Sequence, residues 1–145
     1  MCISKQSKKK GISVCEIPCG LKHSEDLSEY CLQTWKNNIL HAFSLSGTVV
    51  VAINKPVSKL PRIAELLSDF MAKLVMMVVK SEHIEELLIE GGATASCILK
   101  YLGWNEFTPV GEIVLGVVRM QVNRHSHICI TVKPGSYPWP KNLNF

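Results

Sequence analysis

The stretch from Leu87 to Ser96 holds the residues best suited to chemistry in this chain. A short apolar run ends at Glu90, the pair Gly91-Gly92 follows, and a helical pattern begins after it. The glycines leave backbone N–H groups unscreened at the positive end of a helix dipole, where anions bind, phosphate above all. Glycine pairs also occur wherever a tight turn needs a positive φ, so a plain strand-to-helix turn is the competing interpretation.

Apolar segments predict the strands that must position this turn. They lie at 12–17, 48–53 and 87–90. The second is a run of β-branched residues without alternation, which is typical of a strand buried on both faces of a parallel sheet.

Apolar periodicity predicts three helices between and after these strands. The first begins near Ser24, a capping residue with two acidic residues in the following turn. The second runs from Leu60 to Val75, and the third follows the glycine pair and ends at Gly103. The face of the first helix that we expect to be buried contains Leu27, Tyr30, Cys31, Trp35, Ile39 and Ala42.

After Gly103 the patterns predict strands at 107–110, 112–122 and 127–133, with breaks at Gly111, Gly116 and Asn123 and with His125-Ser126-His127 as a hairpin turn. The order is therefore β-α-β-α-β-α followed by a β-rich part. This order predicts an α/β layered domain with a mainly parallel central sheet flanked by helices and a β-rich C-terminal part.

Ligands of such sheets bind at the carboxyl ends of strands. Three polar or glycine-rich loops follow strand ends in this sequence, at Asn54, at Gly91-Gly92 and at Lys133-Pro134-Gly135. We expect these loops to converge on one crevice.

The length of 145 residues predicts one α/β domain at 12–145, preceded by a basic, mobile tail at 1–11. Four lysines of the tail account for the net charge of +4, since 16 basic residues minus 4 leaves 12, equal to the 12 acidic residues. A neutral body argues against nucleic-acid binding, which requires a basic face on the fold. No apolar run approaches the roughly 18 residues of a membrane span, and no signal peptide is visible. A cytoplasmic location without membrane contact is the resulting expectation.

The six cysteines predict reduced thiols rather than a metal site or disulfides. Only Cys15 and Cys19 are close in sequence, and with His23 they make three ligands where structural zinc requires four. The other candidates for chemistry are weaker: none of the five histidines has a nucleophile or carboxylate partner at a telling spacing, and Glu112 is expected to be a surface carboxylate rather than a metal ligand. No catalytic residue and no metal ligand is therefore predicted.

Three segments resemble the C-terminal nucleotide-binding domain of the four-carbon acid sugar kinase family. Gly91-Gly92-Ala93-Thr94-Ala95, with the following helix to Gly103, is similar to the family's "GG-acid-TA … aLG" segment. Glu112–Val117 is similar to its "EI-x-PGV" strand, and Ile130–Tyr137 to its closing "lvxKxGxFG". The resemblance covers about residues 45–138.

The resemblance implies binding of ATP with Mg²⁺ and transfers the binding roles by position. Thr94 would offer a hydroxyl to phosphate or to a metal-bound water, or else cap the helix. Lys133 would be a point charge for phosphate, or else a solvated lysine at a strand end. The complete set of binding candidates is Gly91, Gly92, Thr94, Lys133, Gly135 and Ser136.

The sequence departs from the family pattern at Ala93 in place of the acid, at Leu115 in place of proline, and at Pro138 in place of the last glycine. The "DDxTG" segment of the sugar-acid domain is not found. We therefore expect a nucleotide-binding domain that is inactive alone and is completed by a sugar-acid-binding domain or chain, with self-association through the exposed docking face as a further expectation. The alternative is a degenerate structural or interaction module that no longer binds nucleotide.

Overall fold

The computed structural model describes residues 11–21, 23–54, 62–137 and 139–140. The lysines of the predicted basic tail, the predicted helix start at Leu60, and Pro138 lie outside these residues. The chain forms two compact units, with the boundary between Phe70 and Met71.

The first unit contains two short strands, β1 (Val14–Glu16) and β2 (Val50–Ala52), which pair in parallel. A 3-10 helix (Ser24–Asp26) and helix α1 (Glu29–Ser46) connect them, and the first part of helix α2 (Ile63–Ser81) follows β2. The indole nitrogen of Trp35, on the buried face of α1, donates to the carbonyl of Cys15 at 3.1 Å. This hydrogen bond ties the helix to β1.

The prediction that the first long helix begins near Ser24 is wrong, because α1 begins at Glu29. Asp26 accepts a hydrogen bond from the amide of His23 at 3.0 Å and closes a local turn instead. The hydroxyl of Ser28 caps α1 by accepting from the amide of Cys31 at 3.3 Å. Side-chain capping of this kind decides where a helix starts when several candidates lie close together.

The predicted inner face of the first helix is confirmed for four of its six residues and wrong for Tyr30, which is 81% exposed. Leu27 is partly exposed and precedes α1. The buried stripe includes Leu32, on the opposite flank from Tyr30. Since each residue turns the helix by about 100°, a stripe that includes Leu32 leaves Tyr30 facing solvent. The buried residues of α1 are Cys31, Leu32, Trp35, Ile39 and Ala42.

A disulfide joins Cys19 to Cys31, so the prediction of reduced thiols is wrong for this pair. The two Cα atoms lie 5.8 Å apart, within the normal range for a disulfide. Disulfides persist mainly in oxidising compartments. Cys15 is a free thiol whose pKa is raised because burial disfavours the thiolate.

The second unit contains the end of α2, helix α3 (Gly92–Leu102) and a four-stranded sheet. The sheet order is β3-β6-β5-β4, with β3 and β6 parallel and the other pairs antiparallel. Its strands are β3 (Glu86–Glu90), β4 (Phe107–Val114), β5 (Val117–Val122) and β6 (His125–Lys133). The predicted α/β class with a β-rich C-terminal part is confirmed, although the described strands form two sheets instead of one.

The predicted breaks are confirmed at Gly116 and Asn123 and wrong at Gly111, which lies within β4. At Leu115-Gly116 the φ of 79° at Gly116 lets the chain reverse between β4 and β5. The predicted turn at His125 is wrong, since the chain reverses at Asn123-Arg124 and His125 already begins β6.

One face of the four-stranded sheet packs against α3 and the end of α2. Ile89 of β3 clusters with Ala72 of α2 and Ile98 of α3. Ile128 and Ile130 of β6 join a second cluster on the same face around Trp104. Because strand side chains alternate, Cys129, Thr131 and Lys133 of β6 occupy the opposite face. Among the described helices, none is both long and apolar enough to cross a membrane.

Candidate functional site

The loops after β3 and β6 leave the sheet side by side. Glu90 and Lys133 are opposite each other in the parallel register, and both are the last residues of their strands. The amide of Gly91 extends the pairing by donating to the carbonyl of Lys133 at 2.8 Å. The predicted convergence is confirmed for these two loops. Asn54 belongs to the first unit, so its contribution stays a prediction.

Gly91 caps the N-terminus of α3 with a backbone conformation, φ 100° and ψ 125°, that residues with a side chain rarely adopt. The first helical hydrogen bond runs from the amide of Ala95 to the carbonyl of Gly91, at 3.0 Å. Within the described ranges, the amides of Gly92, Ala93 and Thr94 therefore have no backbone acceptor. Three N–H groups at the positive end of the helix dipole remain available to an anion.

Thr94 is the third residue of α3, so its alternative role as the helix cap is wrong. Its hydroxyl lies 3.6 Å from the position that a Cβ on Gly91 would take. The side chain is half-buried beside the helix entrance. Thr94 thus stays a candidate for contact with a ligand at the first turn.

The loop Pro134–Tyr137, called the closing loop below, is a tight turn in which the amide of Tyr137 donates to the carbonyl of Pro134 at 3.1 Å. Gly135 and Ser136 form its exposed tip. A Cβ added to Gly135 would meet no atom within 4 Å. The backbone at the tip is therefore open to an approaching ligand.

Lys133 is 1% exposed, so the interpretation as a solvated lysine is wrong. Its ammonium donates to the carbonyl of Pro134 at 2.8 Å and to the carbonyl of Tyr137. It also lies 3.4 Å from a carboxylate oxygen of Glu90. An ammonium has three donors; two donate to backbone carbonyls here, and the ammonium also forms an ion pair with Glu90. The direct contact of Lys133 with phosphate stays a prediction, and it would require the ammonium to leave these oxygens.

Glu90 and Trp139 are the members of this arrangement that the sequence did not reveal. The second carboxylate oxygen of Glu90 accepts from the indole nitrogen of Trp139 at 2.9 Å. The Trp139 ring also lies over the ammonium of Lys133, 5.6 Å from Nζ to the ring centroid, a distance typical of a cation–π contact. The only available signal was positional, since Glu90 ends β3 as Lys133 ends β6.

Glu112 has a local structural role on the hairpin between β4 and β5. It is exposed and accepts a hydrogen bond from the amide of Gly116 at 2.7 Å. Across the parts of the chain that the structure describes, no three His, Cys, Asp or Glu side chains are grouped so as to hold a metal ion.

The fold and the site together define an α/β domain with two adjacent loops at the carboxyl end of a parallel strand pair. Residues 21–137 match the model of the nucleotide-binding C-terminal domain family, and the chain belongs to that family. The match begins well before residue 45, where the visible motifs begin. Among proteins with curated descriptions, none matches the chain.

Three solved structures share the fold. A Haemophilus influenzae protein of the DUF1537 family is 15% identical, with a TM-score of 0.72 over 94% of this chain and 34% of its own. A Bordetella bronchiseptica DUF1537 protein, a domain-swapped dimer with bound citrate, is 15% identical, with a TM-score of 0.70 over 93% of this chain and 34% of its own. A Salmonella typhimurium LT2 protein, named provisionally as a tRNA synthase, is 12% identical, with a TM-score of 0.66 over 94% of this chain and 34% of its own. The chain thus spans about a third of the length of each.

Proposed function

We propose that this chain binds ATP, with the phosphates held between the N-terminus of α3 and the closing loop. The observation that carries the proposal is the set of three amides at Gly92, Ala93 and Thr94 that have no backbone acceptor among the described residues. They follow Gly91, whose amide donates to the carbonyl of Lys133 at the start of the closing loop. Membership in the nucleotide-binding C-terminal domain family supports a nucleotide as the anion.

The residues present fit a phosphate chain. A Cβ at Gly92 or at Gly135 would meet no atom within 4 Å, so the backbone can be approached closely at both loops. Phosphate oxygens would accept from the amides of the first turn of α3, and Gly91 supplies the backbone geometry that directs these amides. The hydroxyl of Thr94 and that of Ser136 would add one donor each.

Mg²⁺ would enter with the nucleotide, since magnesium is usually bound through substrate phosphates and few protein groups. The Thr94 hydroxyl is the candidate protein contact, directly or through water. When bound, the ion would neutralise phosphate charge.

We further propose that the chain is the nucleotide-binding part of a sugar-acid kinase-like protein. Phosphoryl transfer needs an acceptor held in line with the γ-phosphate and a group that orients it. The solved structures with this fold are about three times as long, so the acceptor and the group that orients it would be held by another domain or chain. Binding without phosphoryl transfer is the expected behaviour of this chain alone.

The missing partner, or a second copy of the chain, would cover the exposed apolar surface of the second unit. This surface lies on the hairpin of β4 and β5 and on the closing loop, where Leu115 is 78% exposed and Val110 is 54% exposed. Exposed apolar patches of this kind mark interaction sites. Its members are Val110, Ile113, Val114, Leu115, Val118 and Tyr137.

A second candidate function is an interaction module that has lost its nucleotide. Ala93 offers no polar side chain at the first turn, and the Lys133 ammonium already has protein partners. The missing polar group at Ala93 and the engagement of the buried Lys133 ammonium within the protein favour the alternative, and ligand binding separates it from the first proposal.

The deciding experiment is thermal unfolding with and without millimolar Mg-ATP or Mg-ADP. A ligand at 100 times its Kd stabilises the folded state by about 2.7 kcal/mol. For a chain of this size that corresponds to a rise in Tm of about 5–10 °C. No shift at millimolar nucleotide would reject ATP binding and leave the interaction module as the function.

A further inference from the structure

The ammonium of Lys133 is a buried charge that the protein itself neutralises. Burying a cation costs several kcal/mol unless it is paired and hydrogen-bonded. Here two backbone carbonyls, one carboxylate and one indole ring surround it. Such a complete set of partners indicates a cation whose role is inside the protein.

Two of these partners are the ends of the closing loop. The carbonyls of Pro134 and Tyr137 both accept from the same ammonium, and the amide of Tyr137 closes the turn onto Pro134. A single cation therefore fixes both ends of the turn. It also binds two carbonyl oxygens whose partial negative charge would otherwise repel a phosphate at the loop.

The counterion links the closing loop to the other candidate loop. Glu90 contacts the ammonium and is followed directly by Gly91, whose amide donates to the carbonyl of Lys133. Trp139 holds the second oxygen of Glu90, 49 residues away in sequence. One ion pair, between the buried Lys133 and the partly exposed Glu90, thus connects the entrance of α3 with the closing loop.

We propose that Lys133 and Glu90 are positioning residues, and that Lys133 shapes the closing loop for phosphate without contacting the phosphate itself. The ligand part of this inference depends on the proposed ATP binding. The loop-holding part depends only on contacts within the protein.

The test compares Lys133→Met, Glu90→Gln and the double variant with Lys73→Met, which removes an exposed charge from α2. Glu90→Gln keeps a side-chain oxygen for Trp139, so it disturbs the fold least. The Kd values for Mg-ATP and for adenosine are measured by calorimetry. The readout is the ratio of the Kd for Mg-ATP to the Kd for adenosine. A general loss of stability would weaken both ligands and leave this ratio unchanged.

If the ion pair positions the loop, Glu90→Gln and Lys133→Met each weaken Mg-ATP by about tenfold or more, the value of one charge-assisted hydrogen bond. The Kd for adenosine, which has no phosphates, changes by no more than about twofold. The double variant binds Mg-ATP no more weakly than Lys133→Met does. If Lys133 instead contacts phosphate, Glu90→Gln frees the ammonium and leaves or strengthens ATP binding, which overturns the proposal.

Amide hydrogen exchange of the ligand-free protein separates failure of this inference from failure of ATP binding. The Tyr137 amide is expected to exchange at least about tenfold faster in both ion-pair variants, as a loss of about 1.4 kcal/mol in local stability would produce. It is expected to be unchanged in Lys73→Met. Unchanged exchange in the ion-pair variants overturns the positioning role, whether or not nucleotide binds. Faster exchange in a protein that binds no nucleotide rejects the phosphate part alone.

Discussion

Replacing Gly92 with alanine is expected to stabilise the protein and weaken nucleotide binding, two effects of opposite sign. Gly92 is the first residue of α3, its φ is not positive, and an added Cβ meets no atom within 4 Å. Alanine is favoured over glycine in a helix by up to about 1 kcal/mol. With about 0.5–1 kcal/mol gained at a helix end, Tm should rise by about 1–4 °C.

The same methyl group would lie beside the amide of Gly92, where we propose that a phosphate binds. Loss of one hydrogen bond to a charged group costs about 1.5–3 kcal/mol, which is roughly a 10- to 150-fold increase in Kd for Mg-ATP. Gly135→Ala tests in the same way whether the closing loop contributes to phosphate binding, since its added Cβ also meets no atom within 4 Å.

Calorimetric titration with Mg-ATP and scanning calorimetry without ligand give the two quantities. Gly111→Ala in β4 is the matched control, because its added Cβ also meets nothing within 4 Å and it lies outside both loops. The reasoning is refuted if Gly92→Ala raises Tm while the Kd for Mg-ATP stays equal to that of the control.

Three further outcomes follow from the fold. Gly91→Ala should lower the free energy of unfolding by about 1–3 kcal/mol in urea titration, because the φ of 100° strains any side chain; an unchanged midpoint would contradict the cap geometry. Reducing the Cys19–Cys31 disulfide, whose cysteines are 12 residues apart, should lower the free energy of unfolding by about 3 kcal/mol. The Tm should then fall by about 6–12 °C. The Tm of Cys31→Ser should not change on addition of reductant. Burial raises the pKa of the Cys15 thiol above its ordinary 9.0, so the folded state retains the proton longer than the unfolded state. Stability should therefore fall as pH rises above 9.0, whereas Cys15→Ala should lose that part of the pH dependence.

Local signals predicted the elements that build the candidate site. The glycine pair, the apolar periodicity after it and the stop at Gly103 each act within a few residues, and α3 runs from Gly92 to Leu102 as they indicate. The same holds for the strand before it, observed at Glu86–Glu90.

Errors arose where neighbouring residues offered equivalent local choices. Ser24 and Ser28 are both capping residues, and only the turn closed by Asp26 selects Ser28. Cys19 and Cys31 are separated by 12 residues, which does not by itself indicate a disulfide, and only the fold brings their Cα atoms to 5.8 Å.

The alternation of strands and helices and the Gly91-Gly92 turn can be predicted from the sequence, because backbone conformation and amphipathic periodicity are encoded locally. The resemblance to a nucleotide-binding domain rests on three short motifs. The role of Lys133, by contrast, depends on the packed fold. Its burial depends on the parallel register that sets it opposite Glu90, and on Trp139 reaching back to that carboxylate. Strand register and long-range side-chain contacts depend on the packing of the whole sheet. For this reason Lys133, which the sequence alone would allow to be solvated at the end of a strand, is instead a buried cation that holds the closing loop.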